Sequence, residues 1–188
     1  MTKAYQRRFL RAPYFKDVIF KDKGHVFKVP ALNISEGGIL VTSMGYFPKE
    51  EKVHFMAMIP ELPLFKNYDL DKILKYNPNH FESKVIRFCG EAVRKEEIPT
   101  EAENHIFTQI GFRFIDVKEF DQSKISDYVK KMTSNIVHLL VLFDTIADDE
   151  SNLIKLRSIA SYLGYNGNQK ISILRKEVEV AYRSLQWL

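Results

Sequence analysis

Up to about residue 118, apolar positions fall in short, β-rich runs bounded by Gly, Pro, Asn and Lys: Val18-Ile19-Phe20, His25 to Leu32, Gly38 to Thr42, Val53 to Ile59, Ser83 to Val93, and Phe107 to Val117. Six such runs at this spacing predict six short strands in a small antiparallel barrel or sandwich. Lys23-Gly24 reads as the hairpin turn between the first two. The stretch Pro60 to Phe81, with Pro60, Pro63 and Pro78, is too long for a hairpin loop and reads as an excursion from the sheet, with one helical turn around Asp69 to Tyr76.

After residue 118 the period changes. Ile125, Val129, Met132, Ile136, Leu139 and Phe143 are spaced 4, 3, 4, 3, 4, placing all six on one stripe of a long helix. Asp121 or Ser123 is the expected cap at its start. Asp148-Asp149-Glu150-Ser151 interrupts the pattern and opens a second helix with an apolar face of Leu153, Leu156, Ile159, Ala160 and Leu163, closed by Gly164 at the position that follows a helix end. A third helix from about Asn168 carries Ile171, Leu174, Val178, Ala181 and Leu185. The expected fold class is therefore mainly β plus α: six antiparallel strands over 1–118, then about three helices over 119–188 for packing, oligomerisation or effector docking.

Composition sharpens this picture in few places. With 45% apolar and 28% charged residues in 188, the chain can bury a core, which excludes disorder along its whole length. Strongly apolar stretches are far shorter than the ~20 residues a membrane-spanning helix needs, and nothing after Met1 reads as a secretory signal. The expected location is the cytoplasm. Cys89, the single cysteine, excludes an intramolecular disulfide framework and reads as a small buried hydrophobe. Charge matters by position. Residues 1–28 hold eight Lys or Arg against two Asp, a net +6, and the chain total of +4 leaves −2 for the rest.

That basic segment contains Arg7-Arg8-Phe9-Leu10-Arg11, an R-x-x-x-R arrangement, and the second strand runs into Asn33-Ile34-Ser35-Glu36-Gly37-Gly38, which fits [D/N]-x-S-x-x-G. Here the sequence resembles the PilZ domain family, bacterial receptors for cyclic di-GMP. The resemblance extends to Arg7 through Pro13 as the family's opening, to Ser83–Arg94 as the strand before the last turn, and to Gln109-Ile110-Gly111-Phe112-Arg113-Phe114-Ile115-Asp116 as the closing strand, covering roughly residues 5 to 145. It implies a six-stranded antiparallel PilZ-type β-barrel, no enzymatic activity and no cofactor, with cyclic di-GMP as ligand. Carried over residue by residue, Arg7 and Arg11 match the motif arginines, Asn33, Ser35 and Gly38 match the strand motif, and Arg8 and Gly37 lie beside them. Gln6 stands where an arginine is associated in the family with binding a stacked ligand dimer, which leaves one or two ligand molecules open.

The chemistry suits those residue types. A cyclic dinucleotide offers two phosphates and two guanine O6/N7 edges, and arginine's planar fork bonds either bidentately while its face stacks on a base. Asn supplies a donor and an acceptor, and a Ser hydroxyl reaches ligand from a strand end. Gly37 and Gly38 are expected to turn the chain with φ > 0 and to let a ligand approach the backbone. The bland alternatives are a solvated basic tail and a β-turn capped by Asn33 and Ser35; the ordered occurrence of both motifs favours the ligand site. Asn33-Ile34-Ser35 also fits an N-glycosylation acceptor, which the missing signal peptide disfavours.

Ligand binding would order the N-terminal segment and change a surface that a downstream effector protein reads. Two other readings remain: a PilZ-like scaffold that binds no nucleotide, and a DNA-binding regulator using residues 150–188, which hold six Lys or Arg against three Glu. That excess is small, and the Tyr165 to Gln169 turn is long for a helix-turn-helix. The heptad-like spacing of the first helix also allows a homo-oligomer. Histidines 25, 54, 80, 105 and 138 show no metal-ligand spacing, no nucleophile elbow or P-loop is present, and Glu50-Glu51 and Glu96-Glu97 are expected in turns.

Overall fold

The computed structural model describes residues 8–44, 46–77, 82–99, 106–145 and 150–185. Among them, seven strands form one antiparallel sheet: β1 (Arg11–Pro13), β2 (Asp17–Asp22), β3 (His25–Ser35), β4 (Gly38–Met44), β5 (Lys52–Pro60), β6 (Ser83–Pro99) and β7 (Ile106–Val117). The order is β1-β3-β2-β5-β6-β7-β4, and β4 pairs back onto β3. That last pairing closes β2 to β7 into a six-stranded barrel and leaves β1 as an additional strand, so the predicted barrel forms and closure removes its edges.

Strict alternation explains why these residues make a barrel. Strand β2 reads exposed, buried, exposed, buried along its length, and β5 repeats the pattern with Val53, Phe55, Ala57 and Ile59 inward. Phe20, Phe55, Phe88 and Phe112 meet inside: Phe55 stacks on Phe88 at 5.1 Å and meets Phe112 edge-on at 4.7 Å. Each fully buried apolar side chain of this size contributes about 1.5–3 kcal/mol. Lys23 and Gly24 both take positive φ, 45° and 81°, the geometry of a two-residue hairpin whose twist matches its strands. At the inner end of β2, fully buried Asp22 accepts hydrogen bonds from the Tyr46 hydroxyl and from the backbone N–H of Lys49 and Glu50, tying the β4–β5 connection down.

Two expectations are corrected here. Glu96 and Glu97 lie within β6, opposite Gln109 and Thr108, with Arg94 paired to Glu96 at 3.5 Å and Lys95 to Glu97 at 2.6 Å; cross-strand pairing holds these charged residues extended. The first long helix, α2 (Glu119–Thr145), begins before either expected cap, with Asp121 inside its first turn, where a carboxylate favours the helix dipole.

By contacts the chain divides into two compact units, one of 13–60 with 83–127, and one of 1–12, 61–82 and 128–188. In the second, the excursion holds a 3-10 turn (Phe65–Asn67) and a short helix α1 (Leu70–Leu74), capped by the Asp69 carboxylate on the Lys72 N–H. Helices α3 (Glu150–Tyr162) and α4 (Ile171–Leu185) follow α2. The six-residue stripe of α2 is buried throughout, as are Leu156, Ile159, Ala160 and Leu163 and, on α4, Leu174, Val178, Ala181 and Leu185. Gly164 ends α3 with φ 96°. Buried Asn135 accepts from the Phe65 N–H at 3.0 Å and donates to the Pro63 carbonyl at 2.9 Å, and the Tyr162 hydroxyl serves the carbonyls of Ile73 and Tyr76. No helix among the described residues is long and apolar enough to cross a membrane. Trp187, His80 and His105 lie outside the described residues.

Candidate functional site

The strand motif forms the β3–β4 hairpin. Ser35 and Gly38 pair across a two-residue turn, Glu36-Gly37. The nearly buried Ser35 hydroxyl donates to the Gly38 carbonyl at 3.2 Å and accepts from the Gly37 N–H at 3.3 Å, bracing the turn from within. Two more elements fasten it. The Gly37 carbonyl accepts from the Phe114 N–H at 3.0 Å. From the first turns of α2, Gln122 donates to the Glu36 carbonyl at 2.7 Å and Ser126 to its carboxylate at 2.9 Å. A turn held by its own Ser35, by β7 and by α2 is preorganised, so a ligand would not have to supply its ordering entropy.

The glycines act differently from the sequence expectation. Among the described residues the positive-φ glycines are Gly24 and Gly164, so neither Gly37 nor Gly38 turns the chain that way. Gly38 answers to close approach instead: a Cβ there would collide with the backbone carbonyl oxygen of Phe112 on β7. The strand pair β4–β7, with Gly38 opposite Arg113 and Ile39 opposite Phe112, therefore needs a residue without a side chain at this point.

Asn33 sits just after an irregularity in the β3–β4 register, opposite Leu40. Its half-buried side chain has no hydrogen-bond partner among the described residues, which leaves its amide donors and carbonyl acceptor available. Arg113 is a cation that sequence reasoning passed over as part of the closing strand. It lies across from Gly38, and its guanidinium holds the Glu91 carboxylate at 2.6 Å while remaining largely exposed. No local signal in the sequence could have singled it out, because its position beside the motif depends on the closing strand pairing with β4. The same holds for Gln122 and Ser126, 86 and 90 residues from the turn they secure.

The structure thus brings Asn33, Ser35, Gly37 and Gly38 together in the barrel unit. Arg8 and Arg11 belong to the segment grouped with the other unit. Arg8 is exposed, its guanidinium 5.3 Å from the centre of the Phe9 ring, and Arg11 is half-buried at the start of β1. Arg7 lies outside the described residues.

No protein-family model and no curated protein matches the sequence. Solved structures do resemble the fold. The Bacillus subtilis inhibitor of motility, MotI/DgrA, superposes with a TM-score of 0.52 at 16% identity, over 70% of this chain and 53% of that one, so this chain spans about half of the inhibitor's length. The PilZ domain of YcgR from Escherichia coli, solved with c-di-GMP, gives a TM-score of 0.43 at 14% identity over 68% of this chain and 92% of that domain. The c-di-GMP complex of MrkH from K. pneumonia gives 0.41 at 14%, over 77% of this chain and 56% of MrkH. Over 70% of its length, this chain, with its closed six-stranded barrel, shares its fold with the inhibitor of motility.

Proposed function

We propose that this protein is a non-enzymatic, cytoplasmic receptor for cyclic di-GMP, in which Arg7, Arg8 and Arg11 close on ligand seated at Asn33, Ser35, Gly37 and Gly38. The observation that carries the reading is the braced β3–β4 hairpin, beside it an Asn33 with no hydrogen-bond partner among the described residues, on a PilZ-type barrel and downstream of an R-x-x-x-R segment. Three arginines within five residues repel one another, and two phosphates would neutralise them, so binding and ordering of the segment are coupled. The coupled change is what an effector protein would read.

Calorimetric titration with cyclic di-GMP tests this. Binding is expected with a Kd near or below ~10 μM, about −7 kcal/mol. Asn33→Ala is the cleanest hairpin variant, because that side chain has no hydrogen-bond partner among the described residues. Ser35→Ala removes both bracing bonds, so its binding loss must be read beside its melting temperature. Arg11→Ala removes a charge-assisted contact and should weaken binding more than tenfold, at roughly 1.5–3 kcal/mol. No heat and no thermal shift at saturating ligand would favour a scaffold that binds no nucleotide.

A further inference from the structure

The outer face of the barrel on β2, β5 and β6 carries chemistry that the hairpin does not use. Because side chains alternate, the register lines up two rows: Val26, Lys21, His54, Cys89 and Asp116 in one, all exposed but the buried Cys89, and Lys28, Ile19, Met56 and Arg87 in the next. Between them lies a cavity of about 470 Å³, within the usual size of small-molecule sites. Of the apolar residues that border it, Ile19, Val26 and Met56 are the ones that reach solvent, Val26 being 70% exposed, while Phe20, Phe55, Phe88 and Cys89 are buried. Lys21, Arg87 and Lys118 stand around it. None of these three cations has an ion-pair partner among the described residues, whereas Lys28, one position along the row, is paired with Asp17 at 2.9 Å. Asp116 is the one carboxylate in the lining, so Lys21, Arg87 and Lys118 leave it a surplus of two positive charges. The barrel's phenylalanine side chains point inward at Phe20, Phe55 and Phe88, so the outward rows offer no phenylalanine face on which a base could stack.

We propose that this cavity binds a small anionic amphiphile, an aliphatic body ending in a carboxylate or phosphate, at a site separate from the β3–β4 hairpin. The body would cover Ile19, Val26 and Met56, burying apolar surface that now faces water, while the head group would take the unpaired charge of Lys21, Arg87 and Lys118. Both head groups share the chemistry, and the probes separate them.

The test is an amide-resolved NMR titration of the full chain with decanoate and with decyl phosphate, each kept below its micelle concentration, beside inorganic phosphate and decanol. Expected are saturable shifts at residues 19–21, 54–56 and 87–89 from one or both amphiphiles, with little from phosphate or decanol alone. Arg87→Gln and Lys118→Gln, both outward-facing, should each weaken binding roughly threefold and together about tenfold. Met56→Ser should weaken it about fivefold through lost apolar contact, with the unperturbed spectrum verifying the fold. Equal binding of decanol and decanoate, equal shifts from inorganic phosphate, or shifts scattered away from these strands would each overturn the proposal. Cyclic di-GMP added to the same sample reports separately at residues 33–38, so either site can fail without the other.

Discussion

Gly38 is the residue at which motif and architecture can be pulled apart. In Gly38→Ala the new Cβ would overlap the Phe112 carbonyl oxygen, and because that atom is backbone, relief requires β4 to move away from β7 or the hairpin to tilt. Either motion strains the bonds that brace the turn, from the Phe114 N–H to Gly37 and from the Ser35 hydroxyl to Gly38. Overpacking of this kind costs about 1–3 kcal/mol, and one weakened hydrogen bond adds about 0.5–1.5 kcal/mol. Restricting the unfolded chain returns only about 0.4–1 kcal/mol, so the net loss is about 2–3 kcal/mol. For a chain of this size that lowers Tm by roughly 5–10 °C. Gly111→Ala is the matched control, since its Cβ would meet the Arg94 Cβ at 3.5 Å, an ordinary contact, and should be neutral or slightly stabilising. Thermal unfolding followed by circular dichroism, with urea midpoints alongside, distinguishes the two. If Gly38→Ala melts with the parent protein, the close approach of β4 to β7 does not explain this glycine. If it then also loses cyclic di-GMP, the glycine serves the ligand alone.

Three further outcomes follow from buried polar groups. Burial, with Lys155 and Lys66 nearby, holds the His138 imidazole below its usual value; the unfolded chain therefore takes up a proton near pH 6.5 that the folded chain resists, and stability declines as pH falls through that value. His138→Met should flatten the difference between urea midpoints at pH 8 and pH 5.5, and an unchanged difference would show that other groups set it. Burial pushes the Asp22 carboxyl up, but hydrogen bonds from Tyr46, Lys49 and Glu50 and the charge of Lys23 outweigh it and leave the group below the ordinary carboxylate range. Its contribution is complete above about pH 5 and is lost as pH falls below ~4, so Asp22→Asn should lower Tm at pH 6 and lose less than the parent on acidification to pH 3. Asn135→Leu orphans the Phe65 N–H and the Pro63 carbonyl, and should cost about 2–4 kcal/mol in urea unfolding; a loss under about 0.5 kcal/mol would show that the excursion does not depend on that anchor.

The helices were legible because burial imposes a period that survives in the residues themselves: every position on the stripe from Ile125 to Phe143 is buried, and Gly164 closes its helix with positive φ. Lys23-Gly24 was legible for a similar reason, since a two-residue hairpin demands residues that tolerate its backbone. Strand existence could be read from alternation, but the closing β4–β7 pairing joins segments far apart in sequence, where no local pattern records the partner. Strand β1, at three residues, is too short to show alternation. The candidate site divides along the same line. Its motif residues were visible as residue types, while the reason for Gly38 and the bracing by Gln122, Ser126 and Phe114 exist only once the barrel has closed.

The central claim is that cyclic di-GMP couples the arginine segment to the hairpin, and amide hydrogen exchange on the full chain, with and without saturating ligand, tests it most directly. The account predicts slower exchange in residues 1–15 and 33–38 together, with Asn33→Ala reducing protection in both. Unchanged exchange in residues 1–15 while ligand is demonstrably bound would contradict the clamp.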